Sequence, residues 1–248
     1  MPPELTAQED WPAVKFPDKS ELPTEDGIPM ETPWHRAEMN LLIDSLTFAW
    51  RERDDFYVGG NMFVYFSLEQ ARNRDYRGPD FFVVKNVDGK VKRDSWIVWE
   101  ENGRYPNVIV ELLSQSTAEL DKTTKKDLYE QTFRTPEYYG YDPVTKELFG
   151  WRLADGEYIL LEKDENGRLW SKELQFWLGL WEGGYLHLAG TWVRFFDEDG
   201  SVVPTHAEAA QQQVEAAQEN LRLEREKTEQ AEAEIIRLRE ELGRYRAE

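Results

Sequence analysis

Two carboxylates and one lysine stand where their types and spacing could do chemistry. Asp80 closes Arg77-Gly78-Pro79-Asp80 and opens Phe81-Phe82-Val83-Val84, and Glu111 stands inside Val108-Ile109-Val110-Glu111-Leu112-Leu113. Short runs of Val, Ile and Phe have the composition of strands buried on both faces, where a charge is costly unless it has a partner or a task. If these strands pair, the two carboxylates converge at about 2.0–2.6 Å on one hard divalent cation. Mg²⁺ is the expected ion, with Mn²⁺ as an alternative, because one or two carboxylates plus water and phosphate oxygens satisfy it. The backbone carbonyl of Leu112 is a candidate further ligand. Asp121-Lys122-Thr123-Thr124-Lys125-Lys126 then opens a lysine-rich helix on which Asp121, Lys125 and Tyr129 share a face. Lys125 is the expected partner for charge growing on a phosphate, and it would help to position or deprotonate the attacking water. Acid, acid and lysine in that order read as phosphodiester hydrolysis. Taken singly, each has a bland reading: a turn aspartate after Gly-Pro, an edge glutamate facing water, a solvated lysine face.

The elements that must hold these groups follow from periodicity. Thr32-Pro33 opens a helix over about residues 33 to 53, with Met39, Leu42, Ile43, Leu46 and Trp50 as its buried stripe. Phe56 to Ser67 reads as paired or bulged strand segments, and Phe81 to Lys85 as a strand. Val87-Asp88-Gly89-Lys90 signals a hairpin, with Trp96 to Trp99 as its partner or as a covering segment. Val108 to Leu113 is the next strand, followed by a helix from about 117 to 132 carrying Leu120, Leu128 and Tyr129 inward. Tyr138 to Tyr141 is a strand stopped by Asp142-Pro143, and Phe149–Leu153 with Tyr158–Leu161 is an edge hairpin. Leu169 to Phe196, rich in tryptophan, reads as loops and short strands over a sheet end. From His206 the chain turns to Ala, Glu, Gln, Arg and Leu. Val214, Ala217, Leu221, Glu224, Thr228, Ala231, Ile235, Leu238, Leu242 and Tyr245 alternate steps of three and four, the seam of a coiled coil, with a partly helical solvated tail as the alternative.

Composition bounds the reading. The 248 residues include no cysteine, which excludes a disulfide framework and a thiolate metal site, and 40% are apolar, enough for an ordinary core. Three histidines without a cluster argue against zinc; His35 reads as a packing residue at a helix start rather than a ligand. Residues 1 to 26 are polar and punctuated by proline, and no window approaches the ~18 apolar residues of a membrane span, which implies a cytoplasmic protein. The net charge of −19 opposes tight general binding to nucleic acid, because such affinity comes from Lys and Arg on phosphates. The last 44 residues hold 11 acidic and 7 basic side chains, so −4 belongs to the tail and −15 to the body.

Gly78-Pro79-Asp80, Val110-Glu111-Leu112-Leu113-Ser114-Gln115-Ser116-Thr117, Asp121 with Lys125 and Tyr129, Pro136-Glu137-Tyr138 and Asp142-Pro143 together resemble the motif train of the Uma-type restriction endonucleases, within the PD-(D/E)xK nuclease superfamily. The resemblance spans about residues 20 to 185. It implies an α/β fold with a restriction-endonuclease-like core, a central mixed β-sheet flanked by helices, and Mg²⁺-dependent hydrolysis of DNA. It also implies that the lysine usual two residues after the acid has migrated, since position 113 is Leu, and that Lys125 replaces it. Asp26-Gly27 and His35 resemble the family's N-terminal turn and helix start, and Glu25, Glu31 or Glu38 is the candidate for an additional carboxylate. Gln115 stands where the family has proline. DNA would be gripped locally by Arg72, Arg74, Arg77, Lys90 and Lys92, with Lys85 and Arg93 beside them and the basic insertion close to the site; ordinary surface solubility is the rival reading.

The expected organisation is an extended arm (1–26), a nuclease-like domain (27–204) and a coiled-coil C-terminal helix (205–248) that makes a homodimer or binds another helix through residues 207–248. The expected activity is endonucleolytic cleavage of DNA. The alternative is a catalytically silent nuclease fold acting as an assembly or adaptor protein through its tail; RNA and damaged or branched DNA are further substrates to consider.

Overall fold

The computed structural model describes residues 16–24, 32–73, 77–114 and 121–245. Trp11, Val14, Glu25, Asp26, Gly27, Glu31, Arg74, Gln115, Ser116, Thr117 and Leu120 lie outside the described residues, as do the side chains of Asp121 and Tyr245. Helix α1 (Pro33–Ala49) begins where Thr32-Pro33 places it. Thr32 Oγ1 accepts the His35 N–H at 3.2 Å, and Pro33 sits in the first turn, where no backbone donor is needed. Leu42, Leu46 and Trp50 of the expected stripe are buried and Met39 and Ile43 partly so, while Ala37, Glu38, Leu41 and Ser45 are buried as well. The burial is broader than one stripe because α1 is covered by the sheet on one side and by β11 (Leu188–Phe196) on another.

The central sheet has six strands in the order β1 (Phe56–Gly59), β3 (Phe81–Lys85), β5 (Val108–Leu112), β6 (Glu137–Asp142), β7 (Glu147–Ala154) and β8 (Glu157–Leu160). Every pairing is antiparallel except β5 with β6, which runs parallel and needs a crossover. That crossover contains α3 (residues 121–133), wound widely as two π-helical segments, Asp121–Lys125 and Leu128–Phe133. Alternation decides the faces. Phe81, Val83, Val108, Val110, Leu112, Tyr139 and Tyr141 join α1's Leu42 and Leu46 in one core; Phe82, Val84, Ile109 and Tyr138 join Tyr129 and Phe133 of α3 in the other. Helices therefore flank a mixed sheet on both faces.

Trp96 is not the hairpin partner of β3, whose two edges are taken by β1 and β5. After Lys85 the chain is drawn to the start of β1, where Val87 and Gly89 N–H groups donate to Asp55 and Asp54 carbonyls at 3.2 and 2.9 Å. Strand β4 (Trp96–Ile97) instead pairs parallel with β2 (Val64–Tyr65), so the covering-segment reading holds. The short α2 (Leu68–Asn73) follows β2.

The tryptophan-rich stretch is more regular than loops and short strands. It forms an antiparallel sheet of β9 (Leu169–Ser171), β10 (Phe176–Tyr185) and β11 (Leu188–Phe196). The long hairpin turns on Leu186 and His187 with φ of 47° and 66°. Such tight turns usually carry Asn or Gly, which is why this one left no turn signal in the sequence. Glu137 at the start of β6 ties this sheet to the central one: it is buried and accepts from Arg152 Nε at 3.0 Å, Tyr139 Oη at 3.1 Å, the Lys172 N–H at 2.9 Å and the Ser171 hydroxyl.

Among the described residues, helix α4 (His206–Tyr245) is anchored through its first turn. Thr205 and Glu208 form a reciprocal cap, with the Glu208 N–H to Thr205 Oγ1 at 3.1 Å and the Thr205 N–H to Glu208 Oε2 at 2.8 Å. Buried Arg194 bonds both Glu208 oxygens, at 3.0 and 2.6 Å, and His206 pairs with Asp44 of α1. Beyond Ala209 every described side chain of α4 is exposed. At 1.5 Å per residue its 40 residues extend about 60 Å. Among the described residues no helix is long and apolar enough to cross a membrane.

Candidate active site

Asp80 and Glu111 meet at one end of the central sheet. The antiparallel register sets Phe81 against Val110, so the residue before β3 lies beside the end of β5, and alternation puts Asp80 on the same face as Glu111. The Asp80 N–H points to Glu111 Oε2 at 3.4 Å, and the Leu112 N–H donates to Asp80 Oδ2 at 2.8 Å. Each carboxylate is thus oriented by the other's strand.

Helix α3 covers that face and supplies two groups to the other oxygen of Glu111. Tyr129 Oη donates to Oε1 at 2.7 Å, and Lys125 Nζ lies 3.2 Å from the same atom. The neighbouring lysines are engaged elsewhere: Lys122 with Glu147 at 3.3 Å and Lys126 with Glu130 at 3.3 Å. Glu111 is 1% exposed, and burial pushes its carboxyl up to about 7. Lys125 and the Tyr129 hydrogen bond oppose that rise, and the Asp80 charge adds to it. Two carboxylates, one of them reluctant to ionise, with a lysine in contact, form a site suited to a hard cation. Among the described residues no group of three or more His, Asp or Glu gathers as a candidate metal site.

Two participants were not assigned to the site from sequence. Tyr129 was placed on Lys125's face, but its bond to Glu111 depends on how α3 docks. His35 was read as a packing residue; its Nε2 lies 3.1 Å from the Leu112 carbonyl and its Nδ1 2.9 Å from Thr32 Oγ1. A carbonyl only accepts, so Nε2 carries a proton toward Leu112, while Nδ1 is held beside the Thr32 hydroxyl. The cap of α1 therefore fixes a ring that reaches across to β5. Thr32-Pro33-Trp34-His35 marked the helix start, but nothing in that spacing indicated the 77-residue reach to Leu112. A cavity of about 500 Å³ adjoins this corner, lined by Thr32, Trp34, His35, Leu113, Ser114 and Tyr141 among others.

The basic insertion does not lie close to the site. Asp80 and Lys85 flank opposite ends of β3, about 16 Å apart at 3.3 Å per residue. Lys85 pairs with Glu173 at 2.6 Å, Lys90 with Asp54 at 2.9 Å, Lys92 with Asp94 at 3.7 Å, and Arg93 with Glu101 at 2.6 Å. The insertion follows β3 away from its Asp80 end, and sequence distance gave no hint of that direction. Arg77, three residues before Asp80, stays on the site's side, its carbonyl accepting from the Val64 N–H at 2.7 Å; Arg72 lies in α2.

Glu38 is separated from the pair by the sheet. It is fully buried against β11, with Oε2 accepting the Val193 N–H at 3.2 Å and Oε1 without a hydrogen-bond partner. Burial holds its carboxyl well above the usual range, against the opposing pull of the Val193 N–H and Arg194. The protonated form is therefore favoured by folding, so the stability it lends is complete below the unfolded value and is lost as pH rises toward the folded one. Glu38→Gln should stabilise the protein by about 1–3 kcal/mol at pH 7.5, the scale of an unsatisfied buried polar group, and have little effect at pH 4. Urea melts at the two pH values measure the difference; equal effects at both would show that ionisation of Glu38 is not the cost.

Comparison with known proteins adds to this geometry. A search of curated proteins finds no match. A solved structure described as "a putative nuclease belonging to DUF820 from Anabaena variabilis" is similar with a TM-score of 0.42 and 15% identity, over 59% of this chain and 76% of that one. The family model "Uma2: Putative restriction endonuclease" matches residues 9–189. That span runs from before α1 through Asp80, Glu111 and Lys125 into the long hairpin, and the chain belongs to the Uma2 family.

Proposed function

We propose that the protein is a metal-dependent endonuclease that hydrolyses DNA phosphodiester bonds, with Asp80 and Glu111 as metal ligands and Lys125 as the cation facing the transition state. The observation that carries this reading is the convergence of Asp80, Glu111 and Lys125, with Lys125 Nζ 3.2 Å from Glu111 Oε1. Membership in a family described as restriction endonucleases supports nuclease chemistry and makes DNA the expected substrate.

The donor set fits Mg²⁺ or Mn²⁺: two hard carboxylates on one face, one of which burial makes unfavourable to ionise without a nearby cation. The Leu112 carbonyl, a candidate third ligand, already accepts from His35 and retains one lone pair. A bound divalent ion would polarise the phosphate and lower the pKa of an attacking water. The chain's own groups do the rest. Tyr129 and Lys125 hold Glu111 by Oε1, leaving Oε2 turned toward Asp80, and the Leu112 N–H holds Asp80 by Oδ2. Lys125, partly exposed at 19%, can reach a phosphate at the rim and offset the negative charge that grows there. Among the described residues, Arg77 and Arg72 are the candidates for local contacts to the DNA backbone.

The net charge of −19 and the exposed α4 favour a second reading, a nuclease fold kept as a scaffold that assembles through its tail. Incubation of the purified chain with supercoiled plasmid and Mg²⁺ or Mn²⁺, beside Asp80→Ala and Lys125→Ala, separates the two. Nicking by the wild type and by neither variant supports the enzyme. No nicking with either metal, and self-association abolished by deleting residues 207–248, leaves the scaffold.

A further inference from the structure

Helix α4 leaves a row of apolar side chains in solvent. Val214, Leu221, Ile235, Leu238 and Leu242 are each about half exposed, at 48–53%, and all fall on the three-and-four seam, whereas exposed Leu223 and Ile236 lie off it. With Leu221, Thr228, Ile235 and Leu242 at the a positions, and Glu224, Ala231 and Leu238 at d, the neighbouring g and e positions are Lys227 and Glu234, and Arg225, Glu232 and Arg239.

We infer that α4 pairs with α4 of a second copy of this chain as a parallel, in-register, two-stranded coiled coil. In that arrangement each g residue faces the e residue five positions on in the other helix. Lys227 then meets Glu232, and Glu234 meets Arg239, each pair made twice by symmetry. Glu234 lies 3.3 Å from Arg237 of its own helix, an exposed pair that exchanges at little cost. Ile at a with Leu at d, as in Ile235 and Leu238, favours two strands.

The g and e charges alone do not choose the direction. An antiparallel pair with full overlap also sets Lys227 near Glu234 and Arg225 near Glu232. Position 224 does choose. Antiparallel pairing places the Glu224 carboxylate against Ile235, a charge in an apolar layer, while its neighbour Arg225 is turned to Glu232 of the other copy. Parallel pairing places it beside Glu224 and Arg225 of the other copy, a cluster of two acids and two bases that sums to zero. Thr228 then faces Thr228, and Leu221, Ile235, Leu238 and Leu242 each face their own kind. Because α4 is anchored by its first turn, the parallel arrangement sets the two bodies side by side, whereas the antiparallel one separates them by roughly the helix length of about 60 Å. The pairing stands whether or not the site cuts DNA; if it does, two sites would work from the same end of the assembly.

The chain has no cysteine, so single introduced thiols report unambiguously. Full-length Leu238→Cys, mildly oxidised, should form a disulfide-linked dimer by itself. Mixing Leu221→Cys with Leu238→Cys should give no mixed cross-link beyond chance re-pairing. Light scattering on the unmodified chain should give twice the 29.2 kDa chain mass, and Ile235→Asp with Leu238→Asp should halve it while far-ultraviolet dichroism retains the body's strand signal. Dominant 221-to-238 cross-linking would overturn the parallel arrangement. A monomer, a larger assembly, or a dimer that survives the double aspartate variant would overturn pairing through α4.

Discussion

Lys125→Ala will slow plasmid nicking by about 10²–10³-fold, the loss usual when one preorganised charge aimed at a developing oxyanion is removed. The variant should remain folded, because Lys125 is partly exposed and its ammonium is set at the rim of the site rather than within a core. Its removal takes away the charge that most opposes the rise of the Glu111 carboxyl, so Glu111 becomes harder to ionise and the pH at which activity appears should move upward. Asp80→Ala should be more severe, below detection, since it removes a proposed ligand and the group that the Leu112 N–H orients. Initial rates of nicking at several pH values and Mg²⁺ concentrations, with a thermal melt of each variant, measure both effects. A folded Lys125→Ala protein that nicks at the wild-type rate would remove the lysine from the mechanism.

The largest loss of stability is expected far from that site. Glu137→Ala should cost about 3–5 kcal/mol, because it leaves the Arg152 guanidinium without its buried counter-charge. Glu137 is 1% exposed and collects Arg152, Tyr139, Ser171 and the backbone N–H groups of Lys172 and Glu173 around one carboxylate. Arg152 also donates to the Trp170 carbonyl at 2.7 Å, so the cluster joins the central sheet to β9. Urea denaturation of Glu137→Ala, Arg152→Met and the double variant will show coupling: once one partner is gone, removing the other should cost much less than it does alone. A loss below about 1 kcal/mol for Glu137→Ala would mean that the two sheets are held by their apolar contacts alone. Because the network and the carboxylate pair lie at opposite ends of β5, each set of variants can be read without disturbing the other.

The strands that carry Asp80 and Glu111 were legible because each is a short run of Val, Ile and Phe, and burial on both faces leaves no room for another pattern. Helix α1 was legible through its Thr-Pro cap, and α4 through an abrupt change of composition. That Lys125 and Tyr129 face the same way was legible through their helical spacing after the acid, and the structure brings both to Glu111. The sequence left Trp96 with two readings, hairpin partner or covering segment, because a turn signal says where a chain reverses, not which neighbour the returning segment meets; the pairing of β4 with β2 chose the second. The β10–β11 hairpin was missed because its reversal rests on Leu186 and His187, residues that rarely adopt positive φ.

By itself the sequence determined the strands that carry Asp80 and Glu111, the helices α1 and α4, which three side chains are worth uniting, and that the tail carries a periodic apolar seam. These are local properties, written in composition and spacing over a few residues. Only the tertiary structure decided that Asp80 and Glu111 share a face, that Tyr129 bonds Glu111 and His35 reaches the Leu112 carbonyl, that Glu38 lies across the sheet, and that the basic loop runs to the far end of β3. Those outcomes depend on strand register and on how α1 and α3 dock. Register is set by the summed burial of both sheet faces, a sum over contacts between residues distant in the chain that no local window contains.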